Sequence, residues 1–282
     1  TKKDKEEMLK AIGASSFEDL VKQVPAKFLW PKLNLPGESL DESQAAALLA
    51  GLAGRNCRPL NFLGAGAYER YTPAAVKAIT SRSEFLTAYT PYQPEVSQGT
   101  LQSIYEFQSL VCQLTGMEVA NAGMYDGATA LAEAALMAAR VTGRERGAVL
   151  SGMAPNYREV VKTYLSGPAI DLEIWSGPPF SASQDLAAIL VQQPNFFGYL
   201  EDLSFWARLA REVGALLVVA VDPIFLGLFR PPADFDADIV VAEGQPLGVP
   251  LSFGGPYVGL FASKERYLRQ MPTERINENV IE

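Results

Sequence analysis

Histidine is missing from all 282 residues of this chain. Its absence removes every Ser-His-Asp and Cys-His mechanism and the usual zinc sites. Cysteine is nearly as scarce, with Cys57 and Cys112 the only two. Two thiols make no disulfide framework and fit a reducing compartment. No apolar run reaches the roughly 18 residues a membrane span needs; the closest, Ala215 to Phe229, is interrupted by Asp222-Pro223. A basic surplus is absent as well: 24 Lys and Arg against 32 Asp and Glu leave a formal charge of -8. Nucleic acid, which asks for a basic face, is therefore not expected as a partner. Nor is a secretory signal, because Lys2, Lys3 and Lys5 are followed by acids and not by an apolar segment.

What is present is the material of a globular α/β protein. Apolar residues make up 48% of the chain and charged ones 20%, enough to bury a large core and too apolar for disorder. The first thirty residues predict two short helices, the first ended by Gly13 and the second, Phe17 to Val24, capped by Ser15 with Glu18. A turn-rich passage from Pro25 to Gly37 follows, then a helix from Asp41 to Gly51. Residues 61–98 are irregular and rich in Gly, Pro, Tyr and Thr, and a long helix is expected from Thr100 to Leu114. We divide the chain into a helical N-terminal arm, 1–60, and a large α/β domain, 61–282.

From there strand and helix alternate. Strands are expected at 118–121, 148–151, 169–174, 187–192, 215–221, 238–241 and 257–261. Helices are expected at 127–140, 155–165, 203–213 and 264–270. Short β-branched runs such as Leu216-Leu217-Val218-Val219-Ala220-Val221 suit strands covered on both faces. The alternation implies βα units around a mostly parallel seven-stranded sheet with helices on both faces.

Ligands of open α/β sheets bind beyond the carboxyl ends of the strands, and four exits here stand out. Asn121 to Thr129 opens a helix with small residues whose free N–H groups suit an anion. Asp126 equally serves as the helix N-cap, and its charge repels a phosphate. Asp222-Pro223 ends the strongest strand, and its acid either pairs with a protonated ring nitrogen or forms a turn. Glycine-dense Glu243 to Gly248 and Ser252 to Pro256 allow close backbone approach. Gln192 to Gly198 is a further loop of this sort. The segment from Thr87 to Gly99 carries two tyrosines and little flexible filler, the make-up of an interface or site loop. Yet no lysine occurs between Lys162 and Lys264, where a Schiff-base enzyme of this layout needs one on a strand exit.

Several long runs resemble glycine decarboxylase, the P-protein family of the glycine cleavage system. They are Tyr89 to Gly99, Met124 to Glu133, Gly244-Gln245 with Phe253-Gly254-Gly255-Pro256, Ser81 to Phe85, and Asn61 to Gly64. The match is to the N-terminal half, which many bacteria encode as a separate subunit 1, and it extends to about Met271-Pro272. The resemblance implies a fold type I pyridoxal-phosphate transferase-like domain. It implies an enzyme that decarboxylates glycine and passes the aminomethyl group to the lipoyl arm of H-protein. The cofactor would sit in a partner, subunit 2, with none held by this chain, whose Gln245-Pro246 stands where the catalytic half has His-Lys. Asp126, Gly127, Thr129, Asp222, Gln245 and Pro246 then form a degenerate site. Tyr89, Thr90, Tyr92 and Gln93 are expected to approach the partner's site. Ala154 stands where the family usually has His, and the small C-terminal domain of the family is expected to be missing. The resemblance places the protein in the bacterial cytoplasm. Two alternatives from other classes are a scaffold protein that has left the cleavage system and a self-sufficient pyridoxal phosphate enzyme using Lys264.

Overall fold

The computed structural model describes residues 1–31, 34–35, 39–57, 59–66, 68–86, 90–91, 93–179 and 183–272. The chain divides into two compact units, Thr1–Asn61 and Phe62–Glu282. The first holds α1 (Lys2–Ala11), α2 (Phe17–Val21) and α3 (Glu42–Ala53). Asp41 caps α3 by accepting from the Gln44 N–H at 2.8 Å, and Gln44 returns the bond to the Asp41 N–H. In α2 the cap is one residue later than expected. Ser16, not Ser15, accepts from the Asp19 N–H, and the Asp19 carboxylate reaches back to the Ser15 N–H at 3.0 Å. The shorter aspartate makes this reciprocal bond in place of Glu18.

The second unit carries the sheet. Its strands are β1 (Val119–Ala120), β2 (Arg146–Leu150), β3 (Asp171–Trp175), β4 (Leu186–Gln193), β5 (Leu216–Val221), β6 (Ile239–Glu243) and β7 (Gly259–Ser263). Its helices are α4 (Ala74–Thr80), α5 (Ser83–Leu86), α6 (Pro94–Thr115), α7 (Gly127–Thr142), α8 (Pro155–Ser166) and α9 (Leu203–Val213). The strand order is β1-β7-β6-β5-β4-β2-β3. Pairings among β2 to β6 are parallel, whereas β7 runs antiparallel to both β6 and β1. The reversal follows from its connection: no α-helix separates β6 from β7, and a chain returning without a crossover must run the other way.

Side-chain parity explains how both faces are covered. In β5, Leu217, Val219 and Val221 join one core cluster while Leu216, Val218 and Ala220 join the other. The same alternation holds in β6, where Val240 and Ala242 oppose Ile239 and Val241. Helices α6 and α9 cover the first face; α7 and α8 cover the second. Helix α9 is amphipathic, burying Leu203, Trp206, Ala207, Ala210 and Val213 at helical spacing. Helix α7 is buried along ten of its sixteen residues, mostly alanines, whose small side chains let it lie close against the sheet. Each large apolar side chain sealed in these clusters contributes about 1.5–3 kcal/mol.

Other departures from expectation are local. Helices α4 and α5 fall in the passage read as irregular. Helix α6 begins at Pro94, six residues early, and bends at Ser97, where φ -126 and ψ 19 leave the helical range. It ends at Gly116 in the left-handed conformation, where a side chain would also press on Ala233 at 3.0 Å. The C-terminal segment Glu265–Gln270 is a 3₁₀ helix, not an α-helix. Among the described residues no helix is long and apolar enough to cross a membrane.

Candidate functional site

Strands β2, β4, β5 and β6 run parallel, so their carboxyl ends and the turn before α7 meet at one edge. A cavity of about 490 Å³ opens there. The N-cap and first turn of α8 lend it Ala154, Asn156 and Tyr157, and the β4 exit lends Gln192, Pro194, Asn195 and Phe196. Asp222 and Pro223 come from β5, Glu243 and Pro246 from the end of β6, and Asp126 and Ala128 from the start of α7. Tyr68 and Arg70 join from the segment before α4, and Gly254 and Tyr257 from the β6–β7 connection. All the strand exits singled out in the sequence therefore face one space.

The α7 end of this cavity is closed by carboxylates. Asp126 Oδ1 accepts from the Thr129 N–H at 2.7 Å, and Thr129 Oγ1 accepts from the Asp126 N–H at 3.1 Å. This reciprocal pair is a capping box, so Asp126 is the N-cap. Glu243 adds a second carboxylate from the end of β6. Its Oε2 accepts from the Gly127 N–H at 3.0 Å, and its Oε1 accepts from the Gln245 N–H at 2.9 Å. Burial raises the Glu243 pKa, Asp126 adds to the rise, and the bonds from Gly127 and Gln245 oppose it. The Tyr157 hydroxyl stands against the same turn, 2.4 Å from where a Cβ on Gly127 would lie. Burial and then the charges of Glu243, Asp126 and Asp222 push this phenol far above its usual range.

Asp222 does two things at once. Its Oδ1 accepts from the Ile224 N–H at 2.9 Å, as a turn-forming aspartate does, and the residue also lines the cavity. Gln245 is buried, with its amide donating to the Val249 carbonyl at 2.7 Å, whereas Pro246 reaches the cavity wall. Thr129 and Gly127 take part in the hydrogen bonds of the α7 turn and do not line the space. The Ala154 N–H donates to Gln192 Oε1 at 2.7 Å, tying the exits of β2 and β4 together. Thr90 and Gln93 precede α6 and do not line the cavity; Tyr89 and Tyr92 lie outside the described residues. The Lys264 ammonium is engaged by Asp236 at 2.6 Å and Asp238 at 2.9 Å and does not reach this space.

Tyr68, Arg70, Tyr257 and Asn156 were not singled out in the sequence. The Arg70 guanidinium lies 5.3 Å from the centre of the Tyr68 ring. The alternation of rings and charges in Tyr68-Glu69-Arg70-Tyr71 was the available signal, because it stands out in a glycine-rich, apolar stretch.

As arranged, these residues do not suit a phosphate-bearing cofactor. The N–H groups of Gly127 and Thr129, two of those that a helix start offers an anion, already donate to Glu243 and Asp126. No lysine stands among the described lining residues to form a Schiff base.

The sheet order with its one antiparallel strand, flanked by helices on both faces, defines the class: the large α/β domain of the type I pyridoxal-phosphate fold. A family model described as "Glycine cleavage system P-protein" matches residues 1–277, and the chain belongs to that family. A relative in Desulforamulus reducens, named "Probable glycine dehydrogenase (decarboxylating) subunit 1", is 51% identical over 99% of this chain and 66% of its own length. A crystal structure of glycine decarboxylase (P-protein) in inhibitor-bound form is 45% identical, with a TM-score of 0.90, over 96% of this chain and 63% of that one. A sphingosine-1-phosphate lyase of Burkholderia pseudomallei, 14% identical, has a TM-score of 0.59 over 88% of this chain and 64% of its own. That last likeness is of fold alone. The chain spans 66% of the Desulforamulus relative and 63% of the P-protein crystal chain, somewhat under two thirds of each.

Proposed function

We propose that this chain acts as subunit 1 of a decarboxylating glycine dehydrogenase in the glycine cleavage system of the bacterial cytoplasm. In this reading it supports a subunit 2 that carries pyridoxal phosphate, decarboxylates glycine and passes the aminomethyl group to the lipoyl arm of H-protein. The observation that carries the division of labour is the α7 turn. Glu243 and Asp126 occupy two of the N–H groups a cofactor phosphate would take, those of Gly127 and Thr129, and no lysine lines the cavity among the described residues. Asp126, Gly127, Thr129, Asp222, Gln245 and Pro246 are then remnants of a cofactor site. The 1–60 arm and the 61–282 α/β domain are its two parts, and Tyr89, Thr90, Tyr92 and Gln93 approach the partner's site.

Exchange of glycine carboxyl with labelled bicarbonate tests this reading. Exchange is expected only when the catalytic subunit and H-protein are added. Exchange by this chain alone, or a borohydride-trapped pyridoxal adduct on one of its lysines, overturns it.

A further inference from the structure

We propose that the strand-end cavity is a binding site for a small organic cation, one carrying an ammonium or guanidinium group seated between Asp222, Glu243 and the Tyr157 hydroxyl. The inference rests on the reading that this cavity does not hold pyridoxal phosphate, and it assigns the space a ligand class of its own.

Three observations carry it. The first is charge. Asp126, Asp222 and Glu243 face Arg70, three carboxylates against one guanidinium, and Arg70 is drawn over the Tyr68 ring. In a partly enclosed space of about 490 Å³ such an excess repels anions and attracts cations more strongly than in bulk water. The second is a hydrogen-bonding group that no protein atom among the described residues satisfies. The Tyr157 ring is sunk into the protein, yet its hydroxyl, which borders the cavity, has no hydrogen-bond partner among the described residues. Asp222 likewise spends one oxygen on the Ile224 N–H and leaves the other for a donor. An ammonium or guanidinium offers donors to both and neutralises the carboxylates at once. The third is the wall. Tyr68, Tyr257 and Phe196 contribute aromatic side chains to it, and the volume is that of a small-molecule site. A phosphate is disfavoured by the same carboxylates, and two of the α7 N–H groups, those of Gly127 and Thr129, are already taken.

Isothermal titration of the purified chain with n-butylamine, butylguanidine, n-butanol and inorganic phosphate tests the proposal. The two cations are expected to bind, with n-butanol at least about tenfold weaker and phosphate silent. Asp222→Asn keeps an amide oxygen for the Ile224 N–H, so the turn survives while the charge is lost. That variant and Tyr157→Phe are each expected to weaken cation binding about tenfold, and Asp234→Asn, on an exposed turn, leaves it unchanged. Equal binding of butanol and butylamine, binding of phosphate, no binding of either cation, or full affinity in a folded Asp222→Asn chain overturns it. Failure of cation binding in a chain that still supports subunit 2 sinks this inference alone. Cation binding without support of subunit 2 sinks only the proposed function.

Discussion

Adding one methyl group at Gly127 tests the packing of the α7 turn. An ideal Cβ there meets the Tyr157 hydroxyl at 2.4 Å, the Glu243 backbone nitrogen at 2.9 Å and the Glu243 Cα at 3.0 Å. The hydroxyl belongs to a ring held by burial, and the other two atoms belong to the end of β6, which is paired to β7. Neither neighbour yields freely. Overpacking of this kind costs about 1–3 kcal/mol. Against it, alanine restricts the unfolded chain and returns about 0.4–1 kcal/mol. The expected net loss for Gly127→Ala is about 1–2 kcal/mol, read as a lower urea midpoint by far-ultraviolet circular dichroism. Gly99→Ala is the control, because it lies in α6 with nothing within 4 Å of its Cβ position and gains from helix propensity alone, about 0.5–1 kcal/mol. Combining Gly127→Ala with Tyr157→Phe removes the shortest contact but not those to Glu243, so a partial recovery is expected. A Gly127→Ala chain as stable as the wild type, with Gly99→Ala behaving as described, refutes the argument. So does a double variant with no recovery, which would place the whole clash in the backbone.

Asp126→Ala is expected to lose the α7 cap and about 1 kcal/mol of stability, measured by the same urea titration. Glu243→Ala leaves the Gly127 and Gln245 N–H groups without their acceptor in a part-buried turn, and a loss of about 2 kcal/mol is expected from urea unfolding at neutral pH. The pH dependence of Asp236 follows from its bonds to Lys264 and Arg211, which hold its carboxyl below the usual range. Its stabilisation is present above the ordinary aspartate value and fades as pH falls through the lowered folded value. Asp236→Asn should therefore flatten the acid limb of a stability–pH curve, by under about 1 kcal/mol because the pair is half exposed. Glu243 carries the opposite sign. Its raised value means stability is lost as pH rises from the unfolded to the folded value, and Glu243→Gln should remove that slope just above the ordinary glutamate range.

All seven strands and most of the helices around them were legible because their signals are local. Short, continuously apolar β-branched runs such as Leu216 to Val221, and helix starts at Asp126, Asp41 and Asp202, announce themselves over a few residues. The cap of α2 slipped by one residue because adjacent serines offer equivalent oxygens and only geometry chooses between them. The start of α6 was missed because proline reads as a break, although its fixed φ suits the first helical turn. The reversal of β7 was not legible either, since strand direction is a property of the connection in space.

The sequence by itself determined the class of fold, the strand exits worth watching, the absence of imidazole chemistry and the gap in lysine. Those follow from composition and from patterns a few residues long. Only the tertiary structure decided what the exits do together. Glu243 and Gly127 are 116 residues apart, and no spacing rule predicts that one carboxylate closes the other's helix end. Tyr68 and Arg70 reach the same cavity from a segment with no regular pattern. Asp222 is a turn residue and a cavity wall at once, a double role that exists only because parallel strands bring their ends to one edge.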